Sequence, residues 1–153
     1  MADLQYQPIV DALVSAAQET GQFETVNGHE PKNAPGNGVT GAVWFRNVAP
    51  AARQSGLDST TLLLVCTFRC YFSMTAESPD YIDPVLLTAA DALLAAYSGE
   101  FTLGGLIREV DLLGMNGVPL SAKSGYLDVA GKLFRIIDVT VPMTINDVYD
   151  QAQ

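Results

Sequence analysis

The chain has 153 residues, and its 8 basic and 17 acidic side chains give a formal net charge of −9 at pH 7. This excess of acid disfavours binding to nucleic acid through phosphates, because such binding needs a basic patch that releases counterions. The length favours a single domain with its own hydrophobic core. The sequence has no apolar run long enough to span a bilayer and no signal-peptide pattern at its start, so we expect synthesis in the cytoplasm and no membrane partner.

The first third of the sequence predicts a helix, a long loop and a strand. Apolar residues recur at helical spacing over Asp3–Gln22, and Gly21 is a stop signal. Residues 27–38 are rich in Gly, Pro and Asn, which predicts a mobile loop, either a surface turn or a segment that orders on a partner. Alternation over Val39–Phe45 predicts a strand, in which Trp44 is either a core residue or an interface contact.

One long strand is the element around which we expect the rest of the chain to be organised. It follows a connector over residues 46–60, in which a short helical turn is predicted at 49–55. The strand is predicted over Thr61–Ser73, together with Thr60. In this stretch apolar residues occupy every second position, and β-branched and aromatic residues are frequent. The apolar face carries Leu62, Leu64, Cys66, Phe68, Cys70 and Phe72. The opposite face carries Leu63, Val65, Thr67, Arg69 and Tyr71. Because that second face mixes apolar groups with a charge, its expected partner is another subunit.

A second helix is predicted after a turn over residues 74–83. Asp83 suits the N-cap and Pro84 suits the first position of a helix that continues to Tyr97. Gly99 provides its stop signal. The helix is expected to lie across the sheet.

The last third of the sequence predicts a run of strands. Alternation indicates strands at 107–113, 118–122, 125–130 and 132–145. Pro142 predicts that the last strand lies at a sheet edge or contains a bulge. The polar tail, residues 147–153, is predicted to fray.

The residue types that carry catalysis or bind metals do not form a recognisable pattern in the sequence. The single histidine, His29, lies in the predicted loop, so neither a metal cluster nor a nucleophile–histidine pair is expected. Cys66 and Cys70 would lie about 13 Å apart on one strand, beyond the ~7 Å that a disulfide spans, so both are predicted to be buried thiols. Glu109 and Asp111 would lie about 7 Å apart, a spacing that glycosidases tolerate, but strand charges more often protect an edge. We therefore expect no catalysis, no cofactor and a role in assembly.

Several short segments, in their order along the chain, carry a resemblance to a known family. They are Val43-Trp44, Ala49-Pro50-Ala51, Ser55-Gly56-Leu57, Phe68-Arg69-Cys70-Tyr71, Ile82-Asp83-Pro84, Ala96-Tyr97-Ser98-Gly99, Thr102-Leu103-Gly104-Gly105, Arg108-Glu109-Val110-Asp111-Leu112-Leu113-Gly114, Phe134-Arg135-Ile136, Val141-Pro142 and Asn146-Asp147. With these segments the chain from Val43 onward resembles the tail terminator proteins of long-tailed bacteriophages, also called tail completion or head–tail joining proteins, in the form found in phages of actinobacteria. Residues 27–38 match nothing in that pattern.

The resemblance implies an α+β fold in which two helices pack on a mostly antiparallel, strongly twisted sheet, as a single domain over residues 1–153 that forms a ring. It implies that the ring, usually a hexamer, caps the tail tube, stops tube polymerisation and joins the tail to the head or neck. The expected partners are other copies of the chain, the tail tube protein and a neck or head-completion protein, with DNA only passing through the lumen. No cofactor follows from the resemblance, and the expected location is the tail–neck junction of the virion.

Six residues are candidates for the subunit or tube interface: Arg69, Tyr71, Arg46, Arg53, Trp44 and Arg108. Arg69 is the first choice, and the substitution Arg69→Glu is expected to abolish the ring while the monomer stays folded. The alternative functions are another neck or head–tail connector protein, a small α/β ligand-binding protein or enzyme of the host, and a regulatory protein that binds a host target.

Overall fold

A computed structural model describes residues 4–36, 38–51, 55–56, 59–75 and 78–150 of the chain. The elements are α1 (Tyr6–Glu19), β1 (Thr25–Asn27), β2 (Thr40–Pro50), β3 (Ser59–Ser73), α2 (Pro79–Gly99), β4 (Glu109–Val110), β5 (Ser121–Val129) and β6 (Lys132–Asp150). The strands form one sheet in the order β1-β2-β3-β6-β4, and β5 pairs with another part of β6. Within the described residues the pairings are antiparallel, apart from the parallel pair of β1 and β2. The predicted α+β class is therefore confirmed, as is the mostly antiparallel sheet.

The long strand predicted at the centre of the chain is confirmed as β3. It is 15 residues long and pairs with β2 along one edge and with β6 along the other. Its apolar face packs against both helices, and we call this side of the sheet the helix face. The core on the helix face includes Leu64, Cys66, Phe68, Cys70 and Phe72 of β3. Both cysteines are buried free thiols, as predicted.

Helices α1 and α2 cover the helix face because each buries one apolar stripe. The stripe of α1 contains Ile9, Val10, Leu13 and Ala17. The stripe of α2 contains Ile82, Leu86, Ala89, Ala90, Leu93 and Tyr97. The hydroxyl of buried Tyr97 donates a hydrogen bond of 2.9 Å to the carbonyl oxygen of Leu13, which satisfies the phenol and joins the two helices.

The prediction for the second strand was too short. It ended the strand at Phe45, whereas β2 continues to Pro50, so the helical turn predicted at 49–55 is wrong for its first residues. A bulge between Phe45 and Asn47 shifts the register, after which pairing with β3 resumes as far as Pro50 opposite Leu62. The rest of that predicted turn includes residues 52–54, which lie outside the described part of the chain. The short strand β1 was missed within the predicted loop segment and just before it.

The second helix begins earlier than predicted, at Pro79 instead of Pro84. Ser78 has an extended backbone and precedes Pro79, which occupies the first helical position. Pro84 therefore lies inside the helix, and its missing N–H leaves one backbone acceptor, that of Asp80, without its helical donor. Pro79 and Pro84, five positions apart, both suit a helix start, and the pattern alone did not distinguish them.

The strand predicted at 107–113 is reduced to the two residues of β4. Asp111 was expected to be an exposed strand charge, but it is buried at 3% exposure. Its carboxylate accepts hydrogen bonds from the backbone N–H groups of Met115 and Asn116, at 2.8 and 2.9 Å. The chain turns here because the carboxylate competes with the sheet for the backbone donors.

The predicted strands near 118–122 and 125–130 form a single strand, β5, which makes a hairpin with β6. Ala130 and Gly131 connect the two strands with positive φ angles of 53° and 85°, as a tight hairpin turn requires. β6 continues to Asp150, so the predicted frayed tail is wrong for residues 147–150. Val148 is fully buried there, and Tyr149 pairs with Thr60.

Pro142 does not lie at the edge of the sheet, because β6 is an interior strand with β3 on one side. On the other side of β6, β4 pairs with residues 143–144 and β5 pairs with residues 132–140. Pro142 therefore occupies the gap between these two partners. The carbonyl oxygen of Pro142 still accepts a hydrogen bond of 2.9 Å from the N–H of Asp111. A proline is tolerated in this interior strand because no ladder partner needs its N–H.

A substitution at Gly41 in β2 would test how tightly the helix face is packed. A Cβ atom at this position would lie 2.6 Å from two ring carbons of Phe68. We expect Gly41→Ala to lower the free energy of unfolding by about 1–3 kcal/mol, because the buried ring must move. Urea unfolding would measure this. The matched control is Gly125→Ala in β5, where the new Cβ meets Ile136 at an ordinary 3.6 Å. Equal losses in the two variants would contradict the prediction.

The buried thiols predict that stability falls at high pH. Burial raises the pKa of the Cys66 thiol from 9.0 to about 12 and also raises the pKa of Cys70. Above pH 9 the unfolded chain releases protons that the folded chain retains, so stability is complete below about pH 9 and is lost as the pH rises further. Two such thiols predict a loss of about 2 kcal/mol between pH 9 and 10 in urea unfolding. Cys66→Ala should remove about half of this dependence, and an unchanged slope would exclude the thiols as its cause.

Candidate interaction surface

The sheet face opposite the helices, which we call the far face, positions most of the residues predicted to form an interface. Register places Arg69 of β3 opposite Asp138 of β6, and Asp138 opposite Lys123 of β5. Trp44 of β2 lies opposite Thr67, two residues along β3 from Arg69. Side chains two residues apart share a face of a strand, so these groups form one cross-strand patch.

Arg69 is paired within the chain. Its Nε and Nη2 atoms donate to the two carboxylate oxygens of Asp138 at 2.6 and 3.0 Å, which is a bidentate pair. The guanidinium also lies over the Trp44 ring, 5.4 Å from the ring centroid. The hydrogen bond to Asp138 is the main cause of the raised pKa of Arg69. With side-chain exposures of 20% and 32%, the two partners are partly desolvated.

Tyr71 belongs to a second, smaller core on the far face. It is 2% exposed and packs edge-on against Phe134, with ring centroids 6.0 Å apart. Ala42 and Ile136 complete this cluster. Burial is the main cause of the raised pKa of Tyr71, and the nearby Arg69 guanidinium opposes it. Tyr71 therefore stabilises the fold of the single chain, and its role at an interface stays a prediction.

The far face is largely covered by the chain itself. Leu63 and Val65 are buried against Ala51, and Tyr71 is buried in the cluster described above. The mixed character of this face of β3 therefore does not require another subunit, which corrects the reason given for the predicted interface. What stays open to solvent is a groove of about 500 Å³.

The groove combines an aromatic side chain with several charges. Its lining includes Glu30, Trp44, Arg46, Thr67, Arg69, Lys123, Asp138 and Thr140. Three of the eight basic residues of the chain, Arg46, Arg69 and Lys123, therefore line one groove. Arg46 and Lys123 are exposed, and neither forms an ion pair with a residue in the described ranges. Because Arg69 and Asp138 neutralise each other, the two free cations outnumber Glu30 in a strongly acidic protein.

The structure brings together three of the six predicted residues, Trp44, Arg46 and Arg69, with Tyr71 buried beside them. Arg108 lies elsewhere, donating to the side-chain oxygen of Asn146 at 3.1 Å, with its Nε 3.8 Å from Glu109. Arg53 lies outside the described residues. These candidates therefore do not form one site.

Two charged residues that β-strands contribute to the groove, Asp138 and Lys123, were missed in the sequence. Each is a lone charge in an alternating strand, which reads as an ordinary solvated position. Their significance depends on the register of β3, β6 and β5, which joins residues 69 positions apart in sequence.

The loop predicted at residues 27–38 reaches the far face through its described residues. Its residues 28–36 form no helix or strand, and they border a hollow of about 290 Å³ together with Thr40 and Tyr71. Glu30 of this loop also lines the groove. Whether the loop is mobile or orders on a partner stays a prediction.

Among the residues that the structure describes, no group of three or more His, Cys, Asp or Glu side chains is placed to hold a metal ion. In the same residues, neither helix is long and apolar enough to cross a bilayer.

Comparison with known proteins gave no match to any family model and none to any curated protein.

The bidentate pair changes what Arg69→Glu would test. The new carboxylate would face Asp138 on a partly buried surface, so the substitution is expected to destabilise the fold itself. The earlier expectation of a folded monomer that only loses the ring therefore no longer follows.

A double-mutant cycle on Arg69 and Asp138 would measure their coupling. We expect Arg69→Ala and Asp138→Ala each to lower the free energy of unfolding, and the double variant to lose less than the sum. The expected coupling is about 1–2 kcal/mol, because both hydrogen bonds are charge-assisted and partly shielded from water. Arg108→Ala with Asn146→Ala is the control cycle on an exposed contact, where the expected coupling is below about 1 kcal/mol. Equal coupling in the two cycles would argue against a special role for the pair.

Proposed function

We propose that the chain is a structural protein of a bacteriophage virion that caps the end of the tail tube as a ring, with six subunits by analogy with the family it resembles. Capping stops tube polymerisation and joins the tail to the head or neck. The ring, its partners and its place in the virion all rest on that resemblance. The observation in the structure that carries the proposal is the groove, in which predicted interface residues Trp44, Arg46 and Arg69 converge.

The groove has the character of a surface for exchangeable protein contact. Trp and Arg are the residue types most enriched where interfaces gain their binding energy. Arg69 and Asp138 already bind each other through two hydrogen bonds, so the pair forms a fixed part of the groove surface. Arg46 and Lys123 are left available to bind carboxylates of a partner. A polar, charged surface of this kind suits a contact between separately folded proteins, and we assign it to the tail tube protein.

The charge of the chain fits the same proposal. DNA passes through the lumen of a tail and must not adhere to its wall. With a net charge of −9, the ring would repel phosphates in general, while the local cations of the groove engage acidic groups of the tube.

The substitution Arg46→Glu tests the proposed tube contact. Arg46 is exposed and unpaired among the described residues, so the variant should fold as the wild type does. We expect the variant to keep the oligomeric mass of the wild type in native mass spectrometry and to lose the ability to stop growth of its cognate tube protein. Electron microscopy of tube lengths would measure the second property. The loss should resemble the effect of high salt on the wild type, because both remove the electrostatic attraction.

The matched control is Arg108→Glu, which makes the same charge change outside the groove. It should cap tubes as the wild type does. Capping by Arg46→Glu at the wild-type level would contradict the role of the groove. A wild-type chain that stays monomeric and leaves tube growth unchanged would contradict the proposed function as a whole.

A further inference from the structure

The turn over residues 111–117 is held by hydrogen bonds to one buried side chain, although several of its residues are exposed. The buried carboxylate of Asp111 accepts hydrogen bonds from the N–H groups of Met115 and Asn116 and from the side-chain amide of Asn116, the last at 3.3 Å. Gly114 has a φ of 74°, and a Cβ there would lie 2.9 Å from the backbone nitrogen of Pro119. The turn is therefore fixed by a buried anion and by a glycine that no other residue could replace without strain.

Two large apolar side chains of this turn are exposed to solvent. Leu113 is 91% exposed, more than the other large apolar side chains in the described ranges, and Met115 is 53% exposed. Residues 112–118 carry no charge. A single exposed leucine is ordinary in a folded protein. Here, however, a buried carboxylate holds the turn that carries the leucine, and the core does not need this carboxylate for its packing. We call Leu113, Met115 and the turn between them the apolar knob.

A hollow elsewhere on the chain has matching properties. It encloses about 500 Å³ between α2 and the hairpin of β5 and β6, and most of its lining is apolar. It is lined by Asp83, Pro84, Leu87, Ser124, Arg135 and Ile137. Leu87 of α2 is 60% exposed. The volume is in the range of sites that bury small apolar groups.

The charges around the hollow are already neutralised. The Nε atom of Arg135 lies 2.9 Å from Asp83, and its guanidinium also donates to the carbonyl oxygen of Gly125 at 3.1 Å. An uncharged knob could therefore enter without leaving an unpaired charge buried, which is the main cost of an apolar interface. An uncharged knob could not enter the groove on the far face in this way, because it would desolvate Arg46 and Lys123 without giving them partners.

We infer that the apolar knob of one copy of the chain docks in the hollow of a second copy, and that this contact builds the ring. The inference rests on the proposed function for the ring, and it names the surfaces that join its subunits. Knob and hollow are different surfaces, so a copy that donates its knob still offers a free hollow. Such a head-to-tail contact adds subunits in one direction until the rotation closes the ring.

Cross-linking with engineered cysteines tests the contact directly. Native Cys66 and Cys70 are fully buried, so Leu113→Cys and Leu87→Cys would supply the reactive thiols. A short bis-maleimide should convert the double variant L113C/L87C into a ladder that ends at the ring mass. A mixture of the two single variants should give a dimer, because each pair then contains one matched knob and hollow. The control mixture pairs L113C with Tyr81→Cys, an exposed position on α2 outside the hollow, and should give only collisional background.

A second measurement does not depend on cross-linking. Leu113→Ser changes a side chain that is almost fully exposed, so the fold should be retained while the ring mass is lost in native mass spectrometry. A ladder in L113C/L87C together with a monomeric L113S variant would support the inference. Cross-linking at the background level, or an L113S variant that keeps the ring mass, would overturn it.

These results separate the contact from the proposed function. If the wild type forms rings that cap tubes, but the variants Leu113→Cys and Leu87→Cys do not cross-link to each other, the contact alone is overturned. A cross-linked ladder from a protein that leaves tube growth unchanged would support the contact and contradict the capping function.

Discussion

The structure depends on β3 being enclosed on all sides. Its two edges are hydrogen-bonded to β2 and β6, and both of its faces are largely buried. The helix face must be apolar because α1 and α2 pack there, whereas the far face must accommodate one charge at Arg69. Since a shift of one residue would exchange the two faces, the alternation along β3 also fixes the register of its neighbours. That register determines which side chains meet across the far face.

Arg69 shows how this constraint separates folding from recognition. A guanidinium held on a half-buried strand must find an anion within the chain, and the register supplies Asp138 at bidentate distance. Once paired, Arg69 contributes to stability and to the shape of the groove, and is no longer free to bind a partner. In the proposed function, recognition falls to Arg46 and Lys123, which form no ion pair with a residue in the described ranges. Arg69, the first choice for the interface, thus has a role in the fold itself, and its role at an interface stays a prediction.

The parts of the fold that could be predicted from the sequence are those with a local signature. The helix α1 and the strand β3 show their periods within a single window, and each was identified correctly. The errors occur where a distant partner decides the structure. Residues 147–150 look like a polar tail, but pairing with Ser59 and Thr60 makes them part of β6. Asp111 looks like an exposed charge until the turn that it binds is known. Trp44, Arg46 and Arg69 of the groove were among the predicted interface residues, whereas its charged residues Glu30, Asp138 and Lys123 were missed.

Among the described residues, the apolar knob and its hollow differ in polarity from the charged groove. Contacts that form once and persist are usually more apolar than those between separately folded partners. On this basis the uncharged knob and hollow suit the closure of a ring, and the charged groove suits a later encounter with the tube. The buried carboxylate of Asp111 and the pair of Arg69 and Asp138 serve these surfaces in the same way. In the proposed assembly, each would hold a surface in its binding conformation before the partner arrives, which would lower the entropy lost on assembly.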